Sequence, residues 1–490
     1  MASNPTQYPE SYGWDTVFAL TLPAAKKLLS ALPPSPTFTA MTPVTGGTAK
    51  LSWNFVSWEI TDAPGGAMIE MSMHFGANSS LTMPRAIVAD PIALDRSGIL
   101  CKIQFQASFV PGTGKLMPVT GTDWATVEVG VPVMFNGTAK QSMQTILQDW
   151  FASDDAQALF ATELLTLDMS SEVDNEVPWL KPTLFGFAGG TLTNGAKAIG
   201  IMTMAAGSTP DGAARAPGRL ALSPAAIPDN AEAGYFLSRE LVMGNMFIPA
   251  IIANFSNDGV GKLSDYDVAS SDSRLTNRAP LAFKMEMEDE RRGCTIDGGK
   301  LSAYIDGSYL YLNIEPLTAE TSIAGLLVDA VMREKFSLSL VPLPDKPDSS
   351  ILALKSIDPQ ITLAHRNSTT VTVTTLTIAA ALAVLGGVLA VVSPKGFLRD
   401  KLGLSVEMAK IWARVIVAAV GFVGGVLIAG IPFIVAAARE GRMEEIPVID
   451  ALLNTLLARI QWPEKGKTRF LATEGSFANG ILMAVKLDVV

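Results

Sequence analysis

Alternation of apolar and polar residues, which is typical of half-buried β-strands, recurs along most of the chain. In residues 69–74, isoleucine and methionine side chains share one predicted face and polar side chains share the other. Residues 301–314 alternate in the same way around the pair Asp306 and Gly307, which favours a tight hairpin turn. Residues 481–489 alternate again. The pattern predicts long strands over much of the sequence.

The alternation changes phase within residues 51–60. Two sets of apolar side chains point to opposite faces there, namely Leu51, Trp53 and Phe55 on one side and Val56, Trp58 and Ile60 on the other. An extra residue inserted as a β-bulge, or burial of the strand on both faces, accounts for such a change.

Helical spacing of apolar residues is confined to a few segments. Residues 143–151 carry apolar side chains three and four positions apart, and Ser238 is placed to cap a helix that ends near Pro249. Residues 449–460 form another amphipathic stripe. Residues 206–234, rich in glycine, proline and alanine, are predicted to be a long loop. Strands with a few well-separated helices indicate an α+β protein.

Two long uncharged runs, residues 371–392 and 415–438, stand out from this pattern. Each exceeds the roughly 20 residues that a helix needs to cross a bilayer core, and the short connector between them predicts a helical hairpin. Such a hairpin contacts lipid, or it is buried against the rest of the fold or a partner protein. The apolar side chains predicted to contact lipid or membrane are Leu376, Leu382, Leu385, Leu389, Phe422, Leu427 and Phe433.

The connector of the predicted hairpin carries more basic than acidic residues, although the whole chain has a net charge of −10. Local positive charge beside apolar helices suits anionic lipid headgroups. The candidate headgroup contacts are Lys395, Arg399, Lys401, Lys410 and Arg414. The acidic balance of the whole chain argues against nucleic-acid binding.

The sequence offers little material for catalysis or metal binding. The two histidines and two cysteines lack the spacing of a zinc site or of a disulfide framework. Asp265, Asp267 and Asp272 form an acidic loop without the glycine and terminal glutamate of a calcium-binding EF-hand, and His74 has no nucleophile placed beside it. We therefore predict a protein that is not an enzyme, with no catalytic residues, no metal and no cofactor other than a bound lipid or fatty acid.

The N-terminus has neither a basic segment nor an apolar segment of the kind that forms a secretory signal peptide. We expect synthesis in the cytoplasm, followed by release by another route or by association with a membrane.

Several short motifs resemble proteins encoded in clostridial neurotoxin gene clusters, the OrfX and P47 type. The most distinctive is the run Tyr-Gly-Trp-Asp-Thr-Val-Phe-Ala at residues 12–19. Further matches lie at residues 55–60, followed by Gly65 and Gly66, at residues 179–183, and from residue 236 through Pro249 and Phe255. The matches cover roughly the first half of the chain.

The resemblance implies the tubular lipid-binding (TULIP) fold, in which a highly curved antiparallel sheet wraps around long helices and an apolar seam holds a lipid. It implies no catalytic residues. Trp14, Asp15, Trp58, Gly65 and Gly66 are its signature positions here, and core packing is the role expected for the two tryptophans.

With this resemblance the chain divides into four parts. Residues 1–10 form an N-terminal tail, 11–365 a β-rich TULIP-like body, 366–442 the hydrophobic helical hairpin, and 443–490 a C-terminal helix and strand that complete the body. The predicted function is lipid or membrane binding by an accessory component of a bacterial toxin or insecticidal system. Two alternatives remain open: a membrane-inserting or pore-forming component that uses residues 371–438, and a structural partner of a toxin or another protein of the same operon.

Overall fold

The structure is a computed structural model that describes most of the chain. The described residues are 8–28, 35–95, 98–121, 123–132, 137–161, 164–167, 178–206, 216–248, 251–252, 255, 262–287, 290–320, 326–343, 346–357, 360–367, 460–461 and 468–489.

Strands make up most of the described chain. The first thirteen are β1 (Thr16–Thr21), β2 (Phe38–Val44), β3 (Gly47–Trp53), β4 (Phe55–Gly65), β5 (Met68–Phe75), β6 (Ser80–Thr82), β7 (Ile92–Ala93), β8 (Leu100–Phe109), β9 (Lys115–Pro118), β10 (Ala125–Gly130), β11 (Leu165–Leu167), β12 (Pro182–Thr191) and β13 (Lys197–Ala205). The others are β14 (Ala233–Ser238), β15 (Tyr266–Val268), β16 (Leu275–Asn277), β17 (Leu281–Met287), β18 (Glu290–Ile296), β19 (Leu301–Asp306), β20 (Tyr309–Glu320), β21 (Leu326–Leu343), β22 (Lys346–Ser356), β23 (Gln360–Asn367), β24 (Ile460–Gln461), β25 (Thr468–Phe477) and β26 (Gly480–Val489).

Helices are few in the described residues. They are α1 (Leu22–Leu28), α2 (Gly137–Phe151), α3 (Asp154–Phe160) and α4 (Arg239–Val242), with a π-helical turn at Met243–Phe247 and 3₁₀ turns at Pro178–Leu180 and Leu263–Asp265. Ser238 caps α4, as its position predicts, because its hydroxyl accepts a hydrogen bond from the Leu241 amide. The longest of these helices has 15 residues, so the long helices expected inside the curved sheet are not among the described elements.

The chain is therefore mostly β, with a strongly curled, half-barrel sheet and few helices. The described strands form four antiparallel sheets. In spatial order these are β12-β13-β1-β14-β26-β25, β24-β11-β9-β8-β5-β4 with β10 beside β8, β15-β16-β19-β20-β18-β17 with β21 to β23 beyond β20, and β2-β3-β6-β7.

The phase change in residues 51–60 has two structural causes. The chain leaves the four-stranded sheet at the end of β3 and enters the seven-stranded sheet as β4, with Asn54 between the strands. The register of β4 against β5 then shifts between Phe55 and Ser57, which confirms the predicted bulge. Val56 is the inserted residue, and its side chain is 46% exposed, whereas those of Phe55 and Trp58 are buried.

The six-stranded sheet is buried on both faces. One face joins the main core through residues such as Phe18 and Ile201, and the other carries a second apolar cluster that includes Val17 and Met202. Residues 216–232, which we call the covering loop, lie over this second face and add Leu222, among others, to that cluster. The covering loop, which is part of the loop predicted for residues 206–234, is thus an integral layer of the fold.

The nine-stranded sheet meets the six-stranded sheet at two turns. The turn between β19 and β20 lies against the turn between β25 and β26. The Gly307 amide donates a 2.8 Å hydrogen bond to Asn479 Oδ1, and the Asn479 amide donates a 2.9 Å bond to the Gly307 carbonyl. This reciprocal pair fixes the two turns together.

Candidate functional site

The motif of residues 12–15 forms a sharp turn that leads into β1. Tyr12 and Gly13 both adopt left-handed backbone conformations, with φ of 51° and 94°. Glycine is well suited to this conformation because it has no Cβ, and a Cβ on Gly13 would also lie 3.2 Å from Gly218 Cα. The turn directs the next two side chains into the protein.

Trp14 fills the space between β12 and the covering loop. Its side chain is buried, and its indole Nε1 donates a 3.0 Å hydrogen bond to the Arg219 carbonyl. A Cβ on Gly186 would lie 2.6 Å from the Trp14 ring, and one on Gly218 would lie 2.7 Å from it. Trp14 therefore joins the covering loop to the sheet through apolar contact and one hydrogen bond.

Asp15 is a buried carboxylate that links three strands. Its Oδ2 accepts a 2.8 Å hydrogen bond from the Ala205 amide at the end of β13. Its backbone amide donates to Thr203, and its carbonyl accepts from the Ser238 amide at the end of β14. A buried acceptor that satisfies a backbone amide contributes most when its loss would leave that amide unpaired. The position is thus a structural link between β1, β13 and β14.

Gly65 and Gly66 shape the turn between β4 and β5 and bring it against β12. Both have positive φ, of 141° and 56°. The Gly66 carbonyl accepts a 2.7 Å hydrogen bond from the Gly189 amide. At Gly189 there is no room for a side chain, because a Cβ would lie 2.6 Å from Ala63 Cβ and 2.9 Å from its carbonyl oxygen. We call this contact the glycine seam. A glycine inside a strand is a sequence signal of such close backbone approach.

Trp58 belongs to an aromatic cluster between the seven-stranded sheet and helices α2 and α3. Its ring lies 5.3 Å from Phe55 and 5.1 Å, edge to face, from Phe160. Other members are Phe38, Trp53, Phe75, Phe105, Trp124, Trp150 and Phe151. Edge-to-face and tilted pairs of this kind stabilise a core beyond the area that they bury. The Trp53 and Trp150 indole nitrogens are buried and have no hydrogen-bond partner within the described residues.

The predicted lipid contacts fall elsewhere. Both apolar runs, together with Leu376, Leu382, Leu385, Leu389, Phe422, Leu427, Phe433, Lys395, Arg399, Lys401, Lys410 and Arg414, lie outside the described residues. Within the part of the chain that is described, no helix combines the length and apolar character needed to cross a bilayer. An open groove of about 460 Å³ runs along α2, but polar and charged side chains such as Lys140 and Gln144 line it. That lining does not suit an acyl chain.

Two aspartates of the acidic loop of residues 265–272 pair with arginines. Asp267 accepts hydrogen bonds from the Arg278 guanidinium, which lower the pKa of the Asp267 carboxyl, and Asp272 pairs with Arg274 at 3.2 Å. No cluster of three or more potential metal ligands is present among the described residues.

The groups most suited to nucleophilic or acid–base chemistry are separated. His74 lies on an exposed position of β5, opposite Ser57 and Leu100. Cys101 and Cys294 are buried free thiols, and burial raises the pKa of Cys101. A buried thiol of raised pKa is a poor nucleophile because little thiolate forms.

Comparison with known proteins shows which family the sequence matches and which solved structures have a similar fold. The family model described as OrfX-like, Protein OrfX2/OrfX3/P47, matches residues 11–284, more than half of the chain. P47 from Clostridium botulinum A2 superposes with a TM-score of 0.58 at 12% identity, covering 97% of this chain and 98% of that one. P47 of Clostridium botulinum E1 superposes with a TM-score of 0.58 at 11% identity, covering 97% and 100%. No curated protein matches the sequence. The chain belongs to the OrfX-like family.

Proposed function

We propose that the protein is a non-enzymatic accessory component of a bacterial toxin or insecticidal system, and that it acts by binding lipid or membrane. Family membership and a half-barrel fold shared with P47 over nearly the whole chain support the general assignment. In this proposal the half-barrel corresponds to the TULIP arrangement, in which an apolar seam accepts a lipid.

The observation that carries the proposal is the pair of uncharged runs at residues 371–392 and 415–438. Each is long enough to cross the hydrocarbon core of a bilayer as a helix. The 22 residues between them hold five basic and two acidic side chains. Apolar helices next to local positive charge gain from burial of apolar surface and from attraction to anionic headgroups, at about 1 kcal/mol per basic residue near the membrane.

Liposome flotation tests the proposal directly. The full-length protein is compared with a deletion of residues 371–438 and with the double variant Leu385→Arg, Leu427→Arg, using neutral and anionic vesicles at neutral and acid pH. An arginine at the centre of a membrane-embedded helix costs about 2.5–3.5 kcal/mol, so the double variant should lose flotation without any shortening of the chain. Far-UV circular dichroism establishes that each variant is folded.

The controls separate the parts of the proposal. A Leu220→Arg variant introduces one arginine at an exposed leucine of the covering loop and should float like the wild type. If the wild-type protein floats under no condition, or if the folded double variant floats as well as the wild type, the runs are not a membrane-contacting device. Lipid extraction and mass spectrometry of the purified protein then test for a lipid carried inside the body.

Membrane insertion or pore formation is the second candidate, because the same two runs could form an inserting hairpin. Release of a fluorescent dye from anionic vesicles distinguishes it from surface binding. Flotation without dye release supports the accessory lipid-binding function, and dye release that the double variant abolishes supports pore formation.

Docking of the hairpin on another protein of the same operon is the third candidate. It predicts that the protein co-purifies with a partner as a stable complex, and that deletion of residues 371–438 abolishes this complex. It also predicts that the isolated protein does not float with vesicles under any of the conditions above.

The non-enzymatic part of the proposal has its own assay. His74 has an exposed side chain on β5 and is the candidate base that the sequence offers, so a lipid hydrolase is expected to depend on it. We expect no release of fatty acid from phospholipid vesicles by the wild-type protein. Release that His74→Ala abolishes would overturn this part of the proposal.

A further inference from the structure

The hairpin between β12 and β13 has an exposed asparagine followed by a glycine at its tip. Leu192 and Ala196 close the turn, because the Leu192 amide donates a 2.8 Å hydrogen bond to the Ala196 carbonyl. Asn194 and Gly195 lie between them, and both are exposed. Gly195 has a left-handed backbone with φ of 83°, and a Cβ there would meet no atom within 4 Å. The space beside Gly195 is therefore open to a change in backbone conformation.

The side-chain amide of Asn194 is polarised by the backbone of its own turn. Its Oδ1 accepts a 2.9 Å hydrogen bond from the Ala196 amide. A donor at this oxygen withdraws electrons from Cγ and stabilises the negative charge that develops on the oxygen when a nucleophile attacks. The Nδ2 group forms no hydrogen bond within the described residues, so no contact there holds it in place as a leaving group.

These features suit a reaction between the side chain and the next backbone amide. The Gly195 nitrogen loses its proton to a base in the solvent and forms a bond to Asn194 Cγ. Nδ2 takes up a proton from the solvent and leaves as ammonia. Water then opens the cyclic succinimide at either of its carbonyl groups, which gives aspartate or isoaspartate.

The local backbone decides whether this ring can close. Glycine after the asparagine favours closure, because there is no Cβ to obstruct the approach. The 2.9 Å hydrogen bond from the Gly195 amide to the Leu192 carbonyl must open first. Hydrogen bonds in exposed turns open at a low cost in free energy, so this bond is a small obstacle.

A second asparagine–glycine pair in the described chain is held more tightly. Asn479 and Gly480 form the turn between β25 and β26, where Asn479 Oδ1 accepts a hydrogen bond from the Gly307 amide. The Asn479 amide is bonded to the Gly307 carbonyl, and Gly480 is buried. A Cβ on Gly480 would lie 2.3 Å from the Leu237 carbonyl oxygen. The carbonyl groups of both asparagines are thus polarised, and the two sites differ in the space for backbone rotation.

We propose that Asn194 is a site of spontaneous deamidation, and that its modification loosens the attachment of the covering loop. The same turn holds that loop, because the Thr193 amide donates a 3.0 Å hydrogen bond to the Pro224 carbonyl. The Leu192 side chain also belongs, with Leu222 of the loop, to the second apolar cluster. Isoaspartate adds one carbon atom to the main chain directly after Thr193, which changes the geometry of this attachment. The inference is independent of lipid binding by residues 371–438.

Peptide mapping of the full-length protein by tandem mass spectrometry tests the site. The protein is kept in mildly alkaline buffer, where the amide nitrogen loses its proton more often, and modification of each asparagine is followed over time. In the folded protein, Asn194 should react at least about tenfold faster than Asn479, which corresponds to about 1.4 kcal/mol in the free energy of local opening. Asn230 is exposed but precedes an alanine, so it should also react more slowly than Asn194.

The unfolded protein provides the matched control. In concentrated guanidinium chloride both asparagine–glycine pairs lose their fixed neighbours, so Asn194 and Asn479 should react at similar rates. The variant Asn194→Ser keeps a side-chain oxygen that can accept from a nearby backbone amide, and it should show no modification at the turn. Equal rates at Asn194 and Asn479 in the folded protein, or an unmodified Asn194, would overturn the proposed site.

Hydrogen exchange tests the structural consequence. Deamidation adds one negative charge, so anion-exchange chromatography separates the modified protein from the unmodified protein. The Thr193 amide should exchange at least about fivefold faster in the isoaspartate form, as expected for the loss of one hydrogen bond. The Asn479 amide, which is bonded to Gly307, should exchange at the same rate in both forms. Unchanged exchange at Thr193 would overturn the proposed loosening of the covering loop.

Discussion

A single methyl group at Gly189 should destabilise the protein by an amount that the glycine seam allows us to work out. In Gly189→Ala the new Cβ would lie 2.6 Å from Ala63 Cβ and 2.9 Å from the Ala63 carbonyl oxygen, so β12 must move away from the β4–β5 turn. Overpacking of this kind costs about 1–3 kcal/mol. Lengthening the 2.7 Å bond from the Gly189 amide to Gly66 costs about 1 kcal/mol more.

A smaller effect acts in the opposite direction. Alanine restricts the unfolded chain more than glycine does, which contributes about 0.4–1 kcal/mol of stability. The net expectation is a loss of about 2 kcal/mol in the free energy of unfolding, measured by urea titration with tryptophan fluorescence. Gly244→Ala is the matched control, because a Cβ there meets no atom within 4 Å and its φ is not positive. The control should be neutral or slightly stabilising.

A compensating variant tests the cause as well as the size of the effect. Ala63→Gly removes the methyl group nearest to the new Cβ, so the double variant Ala63→Gly, Gly189→Ala should lose less than the sum of the two single losses. A loss below about 0.5 kcal/mol in Gly189→Ala, or strict additivity in the double variant, would refute the close backbone contact on which the reasoning depends.

Three further predictions address polar groups that are buried or half-buried. Asp15→Ala leaves the Ala205 amide without its acceptor, so we expect a loss of about 1–3 kcal/mol by urea titration, and a smaller loss in Asp15→Asn. Asn479→Gly keeps the left-handed backbone and removes the acceptor of the Gly307 amide, so that amide should exchange hydrogen about fivefold faster, for a loss of about 1 kcal/mol. Burial raises the pKa of the Tyr235 hydroxyl, so the folded state binds more protons than the unfolded state above about pH 10. The free energy of unfolding, measured by urea titration, should therefore fall by up to about 1.4 kcal/mol per pH unit above that pH. In Tyr235→Phe the fall should be less steep.

Local features of the fold were predictable because they depend on residues close in sequence. The spacing of residues 143–151 predicted α2, and all five apolar side chains of that pattern are buried. The pair Asp306 and Gly307 predicted a hairpin, and β19 and β20 pair there with Gly307 in a left-handed conformation. The expectation of long helices within the sheet came from the family resemblance, and the described chain holds them nowhere.

Long-range contacts were not predictable from one sequence. The glycine seam joins Gly66, in a turn, to Gly189, in strand β12, and no periodicity connects two positions so far apart in the chain. The cluster of Tyr304, Tyr309 and Tyr311 was half visible, because alternation over residues 301–314 placed Tyr309 and Tyr311 on one face. Tyr304 and Lys335 join them only through the register of three strands, and register across a sheet is set by packing of the whole face rather than by any one strand.

The position of β26 has a consequence for the order of folding. This strand lies between β14 and β25 in the six-stranded sheet, and it is synthesised roughly half a chain later than β14. Until it emerges from the ribosome, β14 has one edge of unpaired amide and carbonyl groups, which is a template for wrong pairing. Closure of this sheet must therefore come late, after translation of residues 480–489, and nascent chains stalled before that point should bind chaperones that recognise open strand edges.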